Sequence, residues 1–82
     1  MSQSRIQELS NYCQEKLQSL ESLLENTTSF NFAPMLKLRL MTKQSILKHI
    51  VDYETYFHFA SVEDLAQYIE DRTDTICGFY EE

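Results

Sequence analysis

The sequence is short of the residues that build most catalytic and cofactor sites. It contains one glycine, one proline, two cysteines and no tryptophan in 82 residues. Phosphate-cradling loops and dinucleotide-binding turns need several glycines, so both are excluded. Cys13 and Cys77 do not have the CxxC spacing of a zinc framework, and neither they nor any serine stands in a nucleophile-elbow sequence. We therefore expect a protein that is not an enzyme and that has no cofactor.

Long apolar runs are also absent. No stretch is apolar enough over its length to span a membrane, and residues 1–10 lack the apolar core of a secretory signal. We therefore expect a cytoplasmic protein without a membrane partner, in which both cysteines stay reduced. An apolar content of 43% nevertheless indicates a folded chain, and we expect one small domain over residues 1–82.

Positive charge is scarce except in the middle of the chain. The net charge is −6, and it is divided as −2 over residues 1–25, +4 over residues 26–51 and −8 over residues 52–82. Arg72 is the single base of the last segment. On a helix, the four bases of the middle segment would not form one stripe, so direct binding of nucleic acid is not expected.

The first predicted element is a helix over residues 3–26. Apolar residues recur there at intervals of three or four, with a mean of 3.6, which is the period of an amphipathic helix: Ile6, Leu9, Cys13, Leu17, Leu20 and Leu24. Glutamate, glutamine, lysine and leucine fill much of the remainder and favour helix. The segment ENTTS, residues 25–29, ends the helix, because its short polar side chains compete for backbone hydrogen bonds.

The segment FNFAPMLKLRLMT, residues 30–42, has two possible interpretations. Pro34 suits the first turn of a helix, and an apolar seam then continues to residue 58: Leu36, Leu40, Leu47, Ile50 and Phe57. The alternative is an α+β protein with short strands near residues 36–40 and 55–59, where apolar and polar residues alternate. We favour one helix over residues 34–58, because leucine, methionine, lysine and arginine prefer helix and an isolated hairpin is weak.

The third predicted helix covers residues 61–77. Ser61 is a suitable N-cap, and Glu63 and Asp64 fall in the first turn, where the helix dipole favours acids. Gly78 is placed to end the helix in a left-handed conformation. The predicted fold is therefore all-α, an antiparallel helical hairpin plus a third helix. A domain this small is marginal by itself, so we also expect a homodimer completed through the apolar seam of the first helix.

The two oppositely charged segments are predicted to face each other. In an antiparallel arrangement the end of the third helix returns beside the start of the second. This would bring the acids Glu70, Asp71 and Asp74 next to the bases Lys37, Arg39 and Lys43. The pairing would leave the remaining acids of the third helix and the tail free for a partner.

Acids and aromatics accumulate together near the C-terminus, which is typical of a protein-binding surface. The candidate partner-binding residues are Tyr53, Tyr56, Phe59, Glu63, Asp64, Tyr68, Phe79, Tyr80, Glu81 and Glu82. The leading hypothesis is a regulatory or adaptor module that binds a protein partner. The alternative is an acidic mimic of nucleic acid that inhibits a nucleic-acid-binding protein. A metal protein built on His49 and His58 ranks last, because on one continuous helix the two histidine–acid pairs would point to opposite sides.

Overall fold

The structure is a computed structural model that describes the backbone of residues 2–26 and 34–81 and the side chains of residues 4–26 and 34–78. It contains three α-helices, α1 (Ser2–Glu25), α2 (Pro34–Asp52) and α3 (Val62–Glu81), and a short 3-10 helix at Thr55–His58. The all-α prediction is confirmed. The α+β alternative is wrong within the described residues, since 36–40 lie inside α2 and 55–58 form the 3-10 helix.

The apolar face of α1 packs against other elements of the same chain. Leu9, Cys13 and Leu20 are buried in the core, and α1 packs mainly on α2 and also on the 3-10 helix. Near its start, Arg5 Nη2 donates a hydrogen bond of 3.4 Å to the carbonyl oxygen of Phe57. Because this contact joins the start of α1 to the segment after α2, the two helices are antiparallel. Leu9, Cys13 and Leu20, three residues of the seam that was predicted to complete a homodimer, therefore pack within the chain, and the homodimer stays a prediction.

α2 begins at Pro34 as predicted, but it ends at Asp52 and not near residue 58. Glu54 then adopts a left-handed conformation, with φ 54° and ψ 32°, and this separates α2 from the 3-10 helix. The break changes which aromatics reach the core: Tyr56 and Phe59 pack against it, whereas Tyr53 is 68% exposed. Tertiary burial of those two rings accounts for a break that the residue types do not signal, because glutamate seldom occupies the left-handed region.

α3 begins as predicted and continues further than predicted. The backbone N–H of Asp64 donates to Ser61 Oγ at 3.2 Å, and that of Leu65 donates to the Ser61 carbonyl oxygen at 3.1 Å, so Ser61 caps the helix. The prediction that Gly78 ends α3 is wrong, because the helix runs on to Glu81 and Gly78 does not have a positive φ. A glycine within a helix has a cost, but the cost does not force termination.

One core joins the three helices. Its buried members come from each of them: Leu9, Cys13, Leu20, Leu40, Leu47, Ile50, Leu65 and Ile69. Thr73 is also fully buried, and its hydroxyl is satisfied by donating to the Ile69 carbonyl oxygen at 2.6 Å. In the described part of the chain, no helix combines the length and the apolar character needed to cross a membrane.

Candidate functional site

Ion pairs join α2 and α3 on one side of their contact. Arg39 Nη2 lies 2.7 Å from Asp74 Oδ1 and Lys43 Nζ lies 2.8 Å from Glu70 Oε1, and a longer contact of 3.8 Å joins Arg39 to Glu70 Oε2. Since the residue number rises on α2 as it falls on α3, the helices are antiparallel, as predicted. The predicted pairing of the charged segments is confirmed for these four residues.

Two members of the predicted pairing do not take part. Asp71 accepts a hydrogen bond of 2.9 Å from Gln67 Nε2 on its own helix, and Lys37 makes no ion pair with a side chain that the structure describes. The hydrogen bond to Asp74 raises the pKa of Arg39 above its ordinary value, so the guanidinium stays charged. The side formed by Arg39, Lys43, Glu70 and Asp74 is called the ion-paired side below.

On the other side of the same two helices lies an open groove of about 500 Å³. α3 contributes Tyr68, Arg72 and Ile76 to its lining, three residues spaced by four, which therefore share one helix face. The lining from α2 includes Ile46 and His49. A smaller depression of about 250 Å³ extends the same groove along α2 to Met41. We call the combined feature the α2–α3 groove.

The groove ends at the 3-10 helix and is not covered by α1. Thr55, His58 and Phe59 line that end, and none of the described α1 residues contributes to the lining. The floor is apolar because Ile46, Ile50 and Ile76 face it. Apolar surface flanked by polar groups is the usual composition of a binding site.

Three predicted partner-binding aromatics lie at or beside this groove. The rings of Phe59 and Tyr68 are 5.2 Å apart between centroids and tilted by 52°, and Tyr68 is 44% exposed. Tyr53 is 68% exposed and stacks on His49, with 4.5 Å between centroids. The fourth predicted aromatic in this region, Tyr56, packs against the core, so most of its ring serves the fold.

The predicted acidic residues are divided between two faces of α3. Glu63 and Asp64 are both exposed. Asp64 is four residues before Tyr68 and lies on the groove side. Glu63 is displaced from Tyr68 by about 140° around the helix and points to another face. The side chains of Phe79, Tyr80 and Glu81, and Glu82 as a whole, lie outside the described residues. The predicted surface is thus brought together only in part.

The groove collects positive and hydrogen-bond-donating groups in an acidic protein. Arg72, His49 and His58 line it, and no acidic residue does so within the described chain. Arg72 makes no hydrogen bond or ion pair with any residue that the structure describes. Sequence reasoning missed this residue, although the spacing of Tyr68, Arg72 and Ile76 was a signal that could have placed it beside an aromatic anchor.

The break after α2 also changes the position of the histidines. On one continuous helix the two histidine–acid pairs would point to nearly opposite sides, but the turn at Glu54 brings His49 and His58 into the same groove. His58 stacks on Phe57 with 4.4 Å between ring centroids. Among the described residues, no group of three histidines, cysteines or acids is arranged to hold a metal ion.

Neither cysteine provides a reactive group at the groove. Cys13 and Cys77 are free thiols and both are fully buried. Burial raises the pKa of the Cys13 thiol to about 11, so the nucleophilic thiolate is not populated near neutral pH. Cys77 Sγ is 3.8 Å from Thr42 Oγ1, within range of a weak S–H hydrogen bond between α3 and α2. Both residues therefore serve packing.

Comparison with known proteins gives no indication of function. No family model, curated protein or solved structure matches the chain. The functional proposal therefore depends on the shape and chemistry of the α2–α3 groove.

Proposed function

We propose that the protein is a non-enzymatic adaptor or regulatory module that binds a partner protein in the α2–α3 groove. The observation that carries the proposal is an open, apolar-floored groove of about 500 Å³ that no described α1 residue lines, with the 44%-exposed Tyr68 among its lining residues. Tyrosine is among the residues that most often anchor interfaces, since its large ring loses few rotamers on binding. A cytoplasmic location, as expected from the sequence, belongs to the same proposal.

The partner element that fits best is an amphipathic helix. The groove is bounded by two antiparallel helices, and a third helix laid between them would complete a four-helix arrangement together with α1. From Met41 to Ile50, α2 rises by roughly 14 Å. A partner helix of about ten residues matches that length. Its apolar side chains at positions i, i+4 and i+7 would lie over the isoleucine floor.

The alternative of an acidic nucleic-acid mimic has weaker support from this geometry. Glu70 and Asp74 are held in ion pairs with Arg39 and Lys43, which lowers the charge that a basic partner would meet. Salt separates the two hypotheses. Between about 0.05 and about 0.5 M salt, a mimic would lose affinity steeply, while an interface anchored by Tyr68 would retain most of its affinity.

The proposal is tested with two matched substitutions. Tyr68→Ala removes a groove side chain, and Leu36→Ala removes an apolar side chain that is also 44% exposed but does not line the groove. Wild type and both variants would be cross-linked to their partners in cells of the source organism, and bound proteins would be quantified by mass spectrometry. A partner of the groove is retained by Leu36→Ala and lost with Tyr68→Ala.

Affinity measurement on the purified complex then gives the magnitude. Truncation of an interface anchor typically costs about 2 kcal/mol or more, so Tyr68→Ala should weaken binding by at least about 30-fold. Thermal melting must show that both variants remain folded. Equal binding by all three proteins would refute the groove as the site. If self-association alone is found and Tyr68→Ala abolishes it, the groove's occupant is a second copy of this chain.

A further inference from the structure

We infer that the partner helix in the α2–α3 groove carries a carboxylate that docks beside Arg72, His49 and His58. This inference rests on the proposed function and specifies the chemistry of the partner: an apolar helix with one aspartate or glutamate among its anchoring side chains. The juxtaposition behind it is a guanidinium and two imidazoles along one groove that has no acidic residue in its described lining.

Among the described residues, Arg72 is unpaired where its neighbours on α3 are paired. On the same helix, Glu70 and Asp74 have bases opposite them and Asp71 accepts from Gln67, yet Arg72 meets no acceptor among the described residues. A guanidinium presents five donors in a planar fork that matches the two oxygens of a carboxylate. The acceptor that the described residues do not supply is expected from the partner.

Both histidines line the same groove and each contacts an aromatic ring. His49 packs on Tyr53 and His58 on Phe57, at centroid separations of 4.5 and 4.4 Å. Each imidazole offers at least one ring N–H donor. The remaining polar lining consists of hydroxyl groups, which can also donate. Donors therefore predominate in the groove.

The net charge of −6 would repel a strongly acidic partner. At physiological salt the Debye length is about 8 Å, so distant acids are largely screened while contacts within the groove are not. The apolar floor strengthens local pairing because it lowers the effective dielectric constant. This balance favours a single carboxylate on an otherwise apolar helix over a polyanion such as nucleic acid.

The test is a selection from a displayed library of amphipathic helices. Apolar residues are fixed at i, i+4 and i+7 and the other positions are randomised. Wild type should enrich aspartate or glutamate at one position, and Arg72→Glu should enrich lysine or arginine there instead. For a selected peptide, exchanging the acid for lysine should weaken binding to wild type at least about 10-fold and restore it to Arg72→Glu, as expected for a charge-assisted pair.

Lys48→Glu is the matched control. Lys48 is exposed on α2 and does not line the groove, so the change alters net charge by the same amount as Arg72→Glu without altering the site. The control should retain the acid preference of wild type. If it switches preference as well, overall charge is responsible and the inference is overturned.

NMR chemical-shift mapping distinguishes failure of the inference from failure of the proposed function. Peptides that perturb groove resonances but show no acid preference, with equal affinity for wild type and Arg72→Glu, would overturn the carboxylate site and leave the groove as a binding site. A library from which no peptide perturbs the groove would refute the proposed function itself.

Discussion

The two sides of the α2–α3 contact use charge in opposite ways. On the ion-paired side, Arg39 and Lys43 have their partners within 2.7 and 2.8 Å. On the groove side, Arg72 has no partner among the described residues, and Tyr68 is 44% exposed. The same two helices are thus joined along one edge and separated along the other. We assign register to the first side and propose recognition for the second.

The ion-paired side is best understood as a determinant of register. Glu70 and Asp74 keep 49% and 64% of their side chains exposed, and exposed pairs contribute only about 0.2–1 kcal/mol each. A shift of α3 by one helical turn would exchange partners and keep only one close pair, Arg39 with Glu70 or Lys43 with Asp74. Such a shift would also change which α2 residues Arg72 faces across the groove. The paired side therefore holds the groove residues in position.

The largest effect on stability is expected in the hydrophobic core, which supports both the ion-paired side and the α2–α3 groove. Leu47 is fully buried in α2, so Leu47→Ala should lower the free energy of unfolding by about 2–5 kcal/mol through lost contacts and a residual cavity. Leu36→Ala, at a 44%-exposed position of the same helix, should cost far less. Urea denaturation measures both. If Leu47→Ala does not fold, Leu47→Met should fold with a loss under about 1.5 kcal/mol. Equal losses at positions 36 and 47 would contradict this core.

The next effect is specific to the ion-paired side. Reversing Arg39 and Lys43 to glutamate removes both pairs and places like charges together, which should cost about 1–2 kcal/mol. For a domain of this size each kcal/mol corresponds to about 4–8 °C in melting temperature. Adding Asp74→Lys should recover part of the loss.

The matched control for that prediction is Lys37→Glu with Lys48→Glu. It gives the same change in net charge on the same helix, and neither lysine makes an ion pair with a described side chain. The control should melt close to wild type. If it melts as low as the Arg39 and Lys43 double variant, the loss comes from net charge, and the ion-paired side does not have the role assigned to it.

How far each feature could be predicted depended on whether its cause was local. Ser61 and Pro34 mark helix starts through their own chemistry, and the facing of Arg39 and Asp74 follows because an antiparallel α3 returns beside the start of α2. The end of α2 had no local signal. Glu54 is left-handed because the chain turns Tyr56 and Phe59 towards the core. Since that turn brings His58 to the groove, the candidate site could not be assembled from the sequence.

Substitution of Gly78 tests directly whether α3 continues beyond this residue. A cap glycine in a left-handed conformation would be destabilised by alanine, whereas Gly78 lies inside the helix and an added Cβ would meet nothing within 4 Å. Gly78→Ala should therefore raise the free energy of unfolding by about 0.5–1 kcal/mol. A loss of stability in urea denaturation would indicate that α3 ends at Gly78.

A smaller gain is expected at the break that opens the groove. A non-glycine residue in the left-handed region carries a cost of roughly 1–2 kcal/mol, and Glu54 has a φ of 54°. Glu54→Gly removes that cost but increases the entropy of the unfolded chain, for a net gain of a few tenths of a kcal/mol. Glu54→Val should instead destabilise the protein, because β-branched residues tolerate this region poorly. If Glu54→Val stabilised the protein, residue 54 would not be in the left-handed conformation.

The smallest effect on stability is expected at Arg72, and it gives the closest test of the comparison. Arg39→Glu and Arg72→Glu make the same chemical change on opposite sides of one helix pair. Arg72 has no partner among the described residues to lose, and the residues three and four positions away on α3 are not acidic. Arg72→Glu should therefore alter the free energy of unfolding by less than about 0.5 kcal/mol, while Arg39→Glu lowers it measurably. If thermal melting shows equal losses, Arg72 is already engaged within the fold, both sides are closed, and the carboxylate site in the groove loses its basis.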